Sequence, residues 1–222
     1  MNLQVQNLDL IRGTRLLQSG LGFGLSEGQA LWVRGPNGVG KSTLLETLCG
    51  FRRFECDQIL WQGVDVFDDI DSYHADLAFC GHKNANASSL TLYDALAFYG
   101  KLFDAPTEKI DKAIETMGLS ARKTIPVYLL SAGQQRRLAL ARLLIADRKL
   151  WVLDEPSVSL DQDGVKDLVG LIQTHLKSGG MAVFTSHVDL GIKAKELNLK
   201  PLDKIAIRAA DAFAGDEWAG VS

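Results

Sequence analysis

The sequence predicts an α/β protein with a mainly parallel core sheet, an antiparallel β start and an inserted block of helices. Three observations carry that reading. From residue 30 onward, strand-length apolar runs alternate with helix-length segments, the order that builds parallel sheets. Before residue 30 the pattern is strand, turn, strand. Between Leu90 and Leu119 apolar residues recur at helical spacing instead.

The elements follow in chain order. Leu3 to Leu10 alternates apolar and polar residues, the period of a half-buried strand. Arg12-Gly13-Thr14 reads as a turn, and Leu16 to Leu25 returns antiparallel until the Glu27-Gly28 turn. Ala30-Leu31-Trp32-Val33 is the next strand, and it feeds Gly35-Pro36-Asn37-Gly38-Val39-Gly40-Lys41-Ser42-Thr43, which fits the pattern GxxxxGK[ST] without a mismatch. A helix opens at Lys41 and is expected to end near Gly50. Gln58-Ile59-Leu60-Trp61 is a short strand closed by Gly63, and Leu77 to Cys80 is another, ending at Gly81-His82. Leu92, Ala95, Leu96, Tyr99 and Leu102 mark one helix; after the Pro106 break, Ile110, Ala113, Ile114 and Met117 mark a second. A third starts beside Ser131 and runs through Leu138, Ala141, Arg142 and Ile145. Leu150-Trp151-Val152-Leu153 is fully apolar, as a parallel-sheet strand covered on both faces must be. Helix Gln162 to Leu176, a Gly179-Gly180 turn and strand Met181 to Thr185 close the core. We expect one domain over residues 1–205 with the helical insertion at about 88–140, and a loosely ordered tail over 206–222, where the small, acidic sequence has no periodicity.

Composition narrows the class. The 222 residues, 46% of them hydrophobic, suffice for a sizeable core. A net charge of -3 offers no bulk attraction to nucleic acid, so no nucleic-acid partner is expected. Cys49, Cys56 and Cys80 are odd in number and form no CxxC pair, which points away from a zinc site or a disulfide framework and toward a reduced, cytosolic chain. No apolar run approaches the ~18 residues of a membrane span, and the start lacks the basic and apolar regions of a secretory signal. Any membrane role is expected to come through partners.

The glycine-rich loop carries the first chemistry. Gly35, Gly38 and Gly40 can adopt positive φ and have no Cβ, so successive backbone N–H groups can curl around a polyphosphate. Pro36, Asn37 and Val39 fill the positions between them. Lys41 reaches the β- and γ-phosphates as a point charge, the Ser42 hydroxyl is placed to ligate Mg²⁺, and the helix opened by Lys41-Ser42-Thr43 aims its positive end at the same anion. Further along, Leu150 to Leu153 delivers Asp154-Glu155-Pro156 at the carboxyl end of a strand, where doubly wound sheets place ligand chemistry.

Together with that loop, Leu130-Ser131-Ala132-Gly133-Gln134 resembles the ATP-binding cassette family, whose signature is LSGGQ; Ala132 replaces one glycine. The motifs occur in the family's order over residues 1 to about 205. The resemblance implies a P-loop NTPase core, ATP and Mg²⁺ as cofactors, and a second ATPase copy in a head-to-tail dimer. By the same resemblance Ser131, Gly133 and Gln134 face the γ-phosphate of ATP held on the other copy's loop. Asp154 holds Mg²⁺ through water, and Glu155 polarises the attacking water. Ser159-Leu160-Asp161 resembles the loop linking the two active sites, which brings Asp161 into the nucleotide-facing set. His187, after the last core strand, matches the family histidine that contacts the γ-phosphate. Two positions depart. The family's adenine-stacking aromatic is missing near residue 12, where Arg12 can lay its guanidinium plane on the base instead. His82 stands where the family has a metal-contacting glutamine, and imidazole is a poorer Mg²⁺ ligand than a carbonyl oxygen.

Phe79-Cys80-Gly81-His82, LSAGQQRRLALARLL and LWVLDEP further look like the ATP-binding subunits of haem exporters in cytochrome c maturation. That implies an ATPase peripheral to the cytoplasmic face of the inner membrane, docked on integral membrane subunits through residues 82–89 and the helical insertion. It would power haem export or the release of a haem-loaded periplasmic carrier. The ATPase of another small-molecule transporter shares every catalytic residue, and an ATP-dependent switch outside transport is the remaining alternative. The single loop excludes a two-cassette translation factor, and the short span from Lys41 to Leu130 leaves no room for the coiled coil of a DNA-repair cassette.

Overall fold

In the computed structural model, which describes residues 2–52 and 58–202, the chain opens with β1 (Leu3–Arg12) and β2 (Arg15–Leu25), paired antiparallel. The alternation of β1 slips once: Leu3, Val5, Leu8 and Leu10 are buried. Asn7 takes up the slip at φ 50, where the pairing register shifts as in a bulge. Then come β3 (Ala30–Arg34), α1 (Lys41–Leu48), β4 (Gln58–Trp61), β5 (Val64–Asp65), α2 (Ile70–Asp76) and β6 (Leu77–Cys80). Three helices follow, α3 (Leu92–Leu102), α4 (Thr107–Thr116) and α5 (Ala132–Ala146), and the chain continues with β7 (Leu150–Leu153), α6 (Gln162–Lys177), β8 (Met181–Thr185) and β9 (Lys195–Asn198).

These strands form two sheets. The first is antiparallel in the order β2-β1-β4-β5, and the second is parallel in the order β6-β7-β8-β3-β9. Side chains alternate across the parallel sheet and divide its core in two. Leu31, Val33, Val152 and Val183 face α1 and the antiparallel sheet, meeting Leu44, Leu48, Leu3 and Leu8. Trp32, Trp151 and Phe184 face the other way, onto Leu140 and Leu143 of α5 and Leu168 and Ile172 of α6. With both faces covered, β7 and β8 read as continuous apolar runs.

The helical block packs through Leu92 and Leu96, Ile110 and Ile114, and Leu138. A Cβ at Gly100 would lie 2.5 Å from Ile110 Cδ1, so glycine at this point lets α3 and α4 approach. Leu102, expected on the inner stripe, is 62% exposed. The inner stripe of α3 ends at Gly100, and Leu102 is the helix's last residue. Five described elements lie outside the sequence expectation: β5, α2, β9 and two single-turn 3₁₀ helices, Ser120–Arg122 and Val127–Leu129. The expected tail over 206–222 and Cys56 lie outside the described residues.

Because β3, β6, β7 and β8 run parallel, their carboxyl ends share one edge of the sheet. The Gly35 loop, Gly81-His82, Asp154-Glu155 and Ser186-His187 all leave from that edge.

Candidate functional site

The converging strand ends enclose a cavity of about 600 Å³, the size of a small-molecule site. Arg12, Asn37, Gly38, Gly40, Lys41, Ser42, Thr43, His82, Asp154, Glu155 and His187 line it, as do Arg15 and Leu17. Gly35, Pro36 and Val39 complete the loop without lining the cavity.

The loop depends on its glycines. Gly35, Gly38 and Gly40 sit at φ 145, 78 and 114, a region that side chains with a Cβ rarely adopt. Gly40 is the N-cap of α1 and supplies no side-chain cap, and the first turn holds no acidic residue. The positive end of the helix therefore stays open to an anion. Lys41 is buried and its Nζ donates to Gly35 O at 2.8 Å and Pro36 O at 3.2 Å. Two neutral carbonyls hold the ammonium in place and leave its charge uncancelled.

Asp154 and Glu155, just past the end of β7, are both buried. One hydroxyl orders both: Thr185 Oγ1 donates to Asp154 Oδ1 at 2.8 Å and accepts from Glu155 N–H at 2.8 Å. Glu155 adopts φ 48, a left-handed conformation costing about 1–2 kcal/mol in a residue with a Cβ. Its Oε2 accepts from the His187 N–H at 3.3 Å, and its Oε1 lies 3.4 Å from His187 Nε2. That Oε1 is buried without a hydrogen-bond partner, although the residue lines the cavity.

Arg136 of α5 locks this arrangement. It is 2% exposed, and its five N–H groups all find acceptors. Nε donates to Pro156 O, Nη2 to Asp154 O and Glu155 O, and Nη1 to Gly81 O and Asn84 Oδ1, all within 3.2 Å. The strained turn at Glu155 and the segment around His82 are thus pinned by one guanidinium. Sequence reasoning quoted Arg136 in its motif without a role, and it missed Thr185, Arg15 and Leu17. No local pattern singled out Arg136, because Gln135 and Arg137 also have buried apolar residues one turn on.

Ser131, Gly133, Gln134 and Asp161 do not line the cavity. They form a second cluster at the start of α5. Ser131 Oγ accepts from Gln134 N–H at 3.3 Å, and Gln134 Oε1 accepts from Ser131 N–H at 3.0 Å, a reciprocal cap. A Cβ on Gly133 would stand 2.9 Å from Ser159 O, so the 159–161 loop lies directly against this turn. Asp161 caps α6 by accepting from Gly164 N–H at 2.8 Å. That backbone bond, with Arg137 behind it, holds the Asp161 carboxyl below the usual carboxylate range.

Comparison with known proteins adds three findings. A family model described as ABC transporter matches residues 19–158. The cytochrome c biogenesis ATP-binding export protein CcmA of Vibrio cholerae is 40% identical over 190 residues, spanning 85% of this chain and 92% of that protein. Its Aliivibrio fischeri counterpart is 39% identical over 196 residues, 88% of this chain and 96% of that one. Among solved structures, a putative ABC transporter ATP-binding protein from Pyrococcus furiosus superposes with TM-score 0.78 at 24% identity, over 89% of this chain and 96% of that one. An ATP-binding subunit of an ABC transporter reaches 0.80 at 18% identity, over 94% and 93%.

Proposed function

This chain belongs to the ABC transporter family, as an ATP-hydrolysing subunit that works with integral membrane subunits, and from that premise we propose that it powers haem export or the release of a haem-loaded periplasmic carrier in c-type cytochrome biogenesis. The relatives named for cytochrome c biogenesis and export span 85–88% of the chain and support the process, while the haem cargo rests on the sequence resemblance. The site proposal rests on one observation: Lys41, Ser42, Asp154, Glu155 and His187, far apart in sequence, line a single cavity.

The residues divide the work as follows. The loop N–H groups, the open end of α1 and Lys41 bind the polyphosphate, and Arg12 stacks on the base. The Glu155 carboxylate takes a proton from the attacking water as its oxygen bonds to the γ-phosphorus. The bond to the β–γ bridging oxygen breaks, and its electron pair leaves with ADP. His187 steadies the Glu155 carboxylate and contacts the γ-phosphate. Ser42 and Asp154 present oxygen donors at the cavity wall, a set that suits Mg²⁺; they would hold the ion, which when bound neutralises phosphate charge. The nitrogen of His82 suits that ion less well.

Ser131, Gly133, Gln134 and Asp161 act on ATP held by a second copy in a head-to-tail dimer. Their position outside the chain's own cavity supports this reading. Docking on the membrane subunits runs through residues 82–89 and the helical block, where Phe98, Leu102, Tyr128 and Leu129 are exposed. No helix among the described residues is long and apolar enough to cross a membrane. A peripheral position on the cytoplasmic face of the inner membrane follows from docking alone.

The test is to isolate the chain and its Glu155→Gln variant from their membranes, then identify what accompanies each by mass spectrometry and haem absorbance. Haem-handling membrane subunits, enriched with the variant, are expected. A different permease, with cytochromes maturing normally in cells lacking the chain, would contradict the proposal.

A further inference from the structure

Gln18 lies on β2 opposite Leu10 and is buried next to buried Leu17, where the β1–β2 register shifts. Its side-chain amide joins two distant parts of the chain. Nε2 donates to Val39 O at 3.2 Å, in the glycine-rich loop, and to Lys200 O at 2.7 Å, just past β9. In a trans peptide the carbonyl and the next N–H point in opposite directions, so anchoring Val39 O also orients the N–H of Gly40, which lines the cavity.

The same C-terminal segment grips the start of the loop. Leu199 N–H donates to Arg34 O at 2.9 Å, and a Cβ on Gly35 would lie 2.6 Å from Leu199 O. Pro201 and Leu202 continue along the outer side of Pro36–Val39, sharing a small cleft with them. The loop is therefore held from behind at both ends, by Leu199 directly and by Lys200 through Gln18.

We propose that Gln18 is a positioning residue for ATP binding, clamping the phosphate loop to the Leu199–Leu202 segment. This rests on reading residues 35–43 as the phosphate site. Without the amide donors the Val39 carbonyl is free to turn, and the binding-competent loop becomes one of several conformations. Apparent affinity then falls by the fraction lost. Asp154 and Glu155 follow β7 and His187 follows β8, and their hydrogen bonds run to Thr185 and to each other rather than to the clamp, so turnover at saturation is preserved.

Gln18→Met keeps the side-chain length and removes both donors. In the full chain it is expected to raise the KM for ATP about five- to tenfold, the scale of one hydrogen bond, with kcat within about twofold of wild type. An unchanged KM, or a fall in kcat alone, overturns the proposal. Should that variant fail to fold, Pro201→Gly loosens the segment at an exposed position. A KM rise of about twofold or more is then expected, and no rise overturns the clamp. Lys41→Ala separates the two readings: if it keeps tight ATP binding, the phosphate-site assignment fails. If it loses binding while the clamp variants do not, only the clamp fails.

Discussion

The catalytic end of the cavity and the exposed start of α5 are built by opposite means. At the first, Asp154 and Glu155 are buried, their backbone is pinned by Arg136, and Thr185 holds a carboxylate and an amide at once. At the second, Ser131 is exposed, and the polar groups of Ser131 and Gln134 cap their own helix. The buried half is preorganised within one chain. The exposed half caps its own helix and lines no part of that cavity, as a surface acting on a second copy's nucleotide would. Arg136 lies on the same helix as Ser131 and grips the turn that carries Glu155, so one residue spans the two halves.

Breaking the buried half gives the largest expected effect. Glu155→Gln keeps the shape of the site and removes the proton acceptor, so ATP hydrolysis should fall about 10²–10⁴-fold while equilibrium nucleotide binding persists. Phosphate release and binding assays on the same preparation check both. Arg136→Met removes five hydrogen bonds and leaves buried carbonyls unpaired; urea denaturation should show a loss of about 3 kcal/mol or more.

The exposed half is sharpened by separating cap from ligand contact. Ser131→Asp preserves an N-cap, so stability should stay within about 0.5 kcal/mol of wild type. A carboxylate facing phosphate should nonetheless suppress hydrolysis. Hydrolysis at the wild-type rate would reduce Ser131 to a helix cap. The smallest effect lies away from both halves. His175 stacks on Trp151 at 3.8 Å, and burial lowers its pKa. The unfolded chain binds that proton more readily, so the contribution to stability is full above about 6.5 and is lost as pH falls from there through the lower native value. Melting temperature against pH should show this acid loss, and His175→Phe should reduce it.

Local patterns made much of this legible. The run from Ala30 to Thr43, the strand Leu150–Leu153 with its carboxylates and the capped start of α5 each carry their geometry in consecutive residues. What escaped depends on partners distant in sequence. α2 has no apolar stripe; its one buried residue, Tyr73, is fixed by donating to Leu48 O. β9 is polar and mostly exposed, and joins the sheet through backbone pairing with β3. Thr185 looked like the last residue of a strand, and only the fold brings its hydroxyl between Asp154 and Glu155. Leu102 lies beside the core-facing line that passes from Gly100 to Phe103, so it is left exposed.

The central claim is that each ATP is shared between two copies, with Lys41 from one and Ser131 from the other. The direct measurement is ATPase activity of differently tagged Lys41→Ala and Ser131→Asp chains, alone and co-assembled. Each alone should be inactive. In the mixed pair one site joins the intact Lys41 of the second variant to the intact Ser131 of the first, and hydrolysis should return. No recovery in complexes shown by their tags to contain both chains would contradict the shared site.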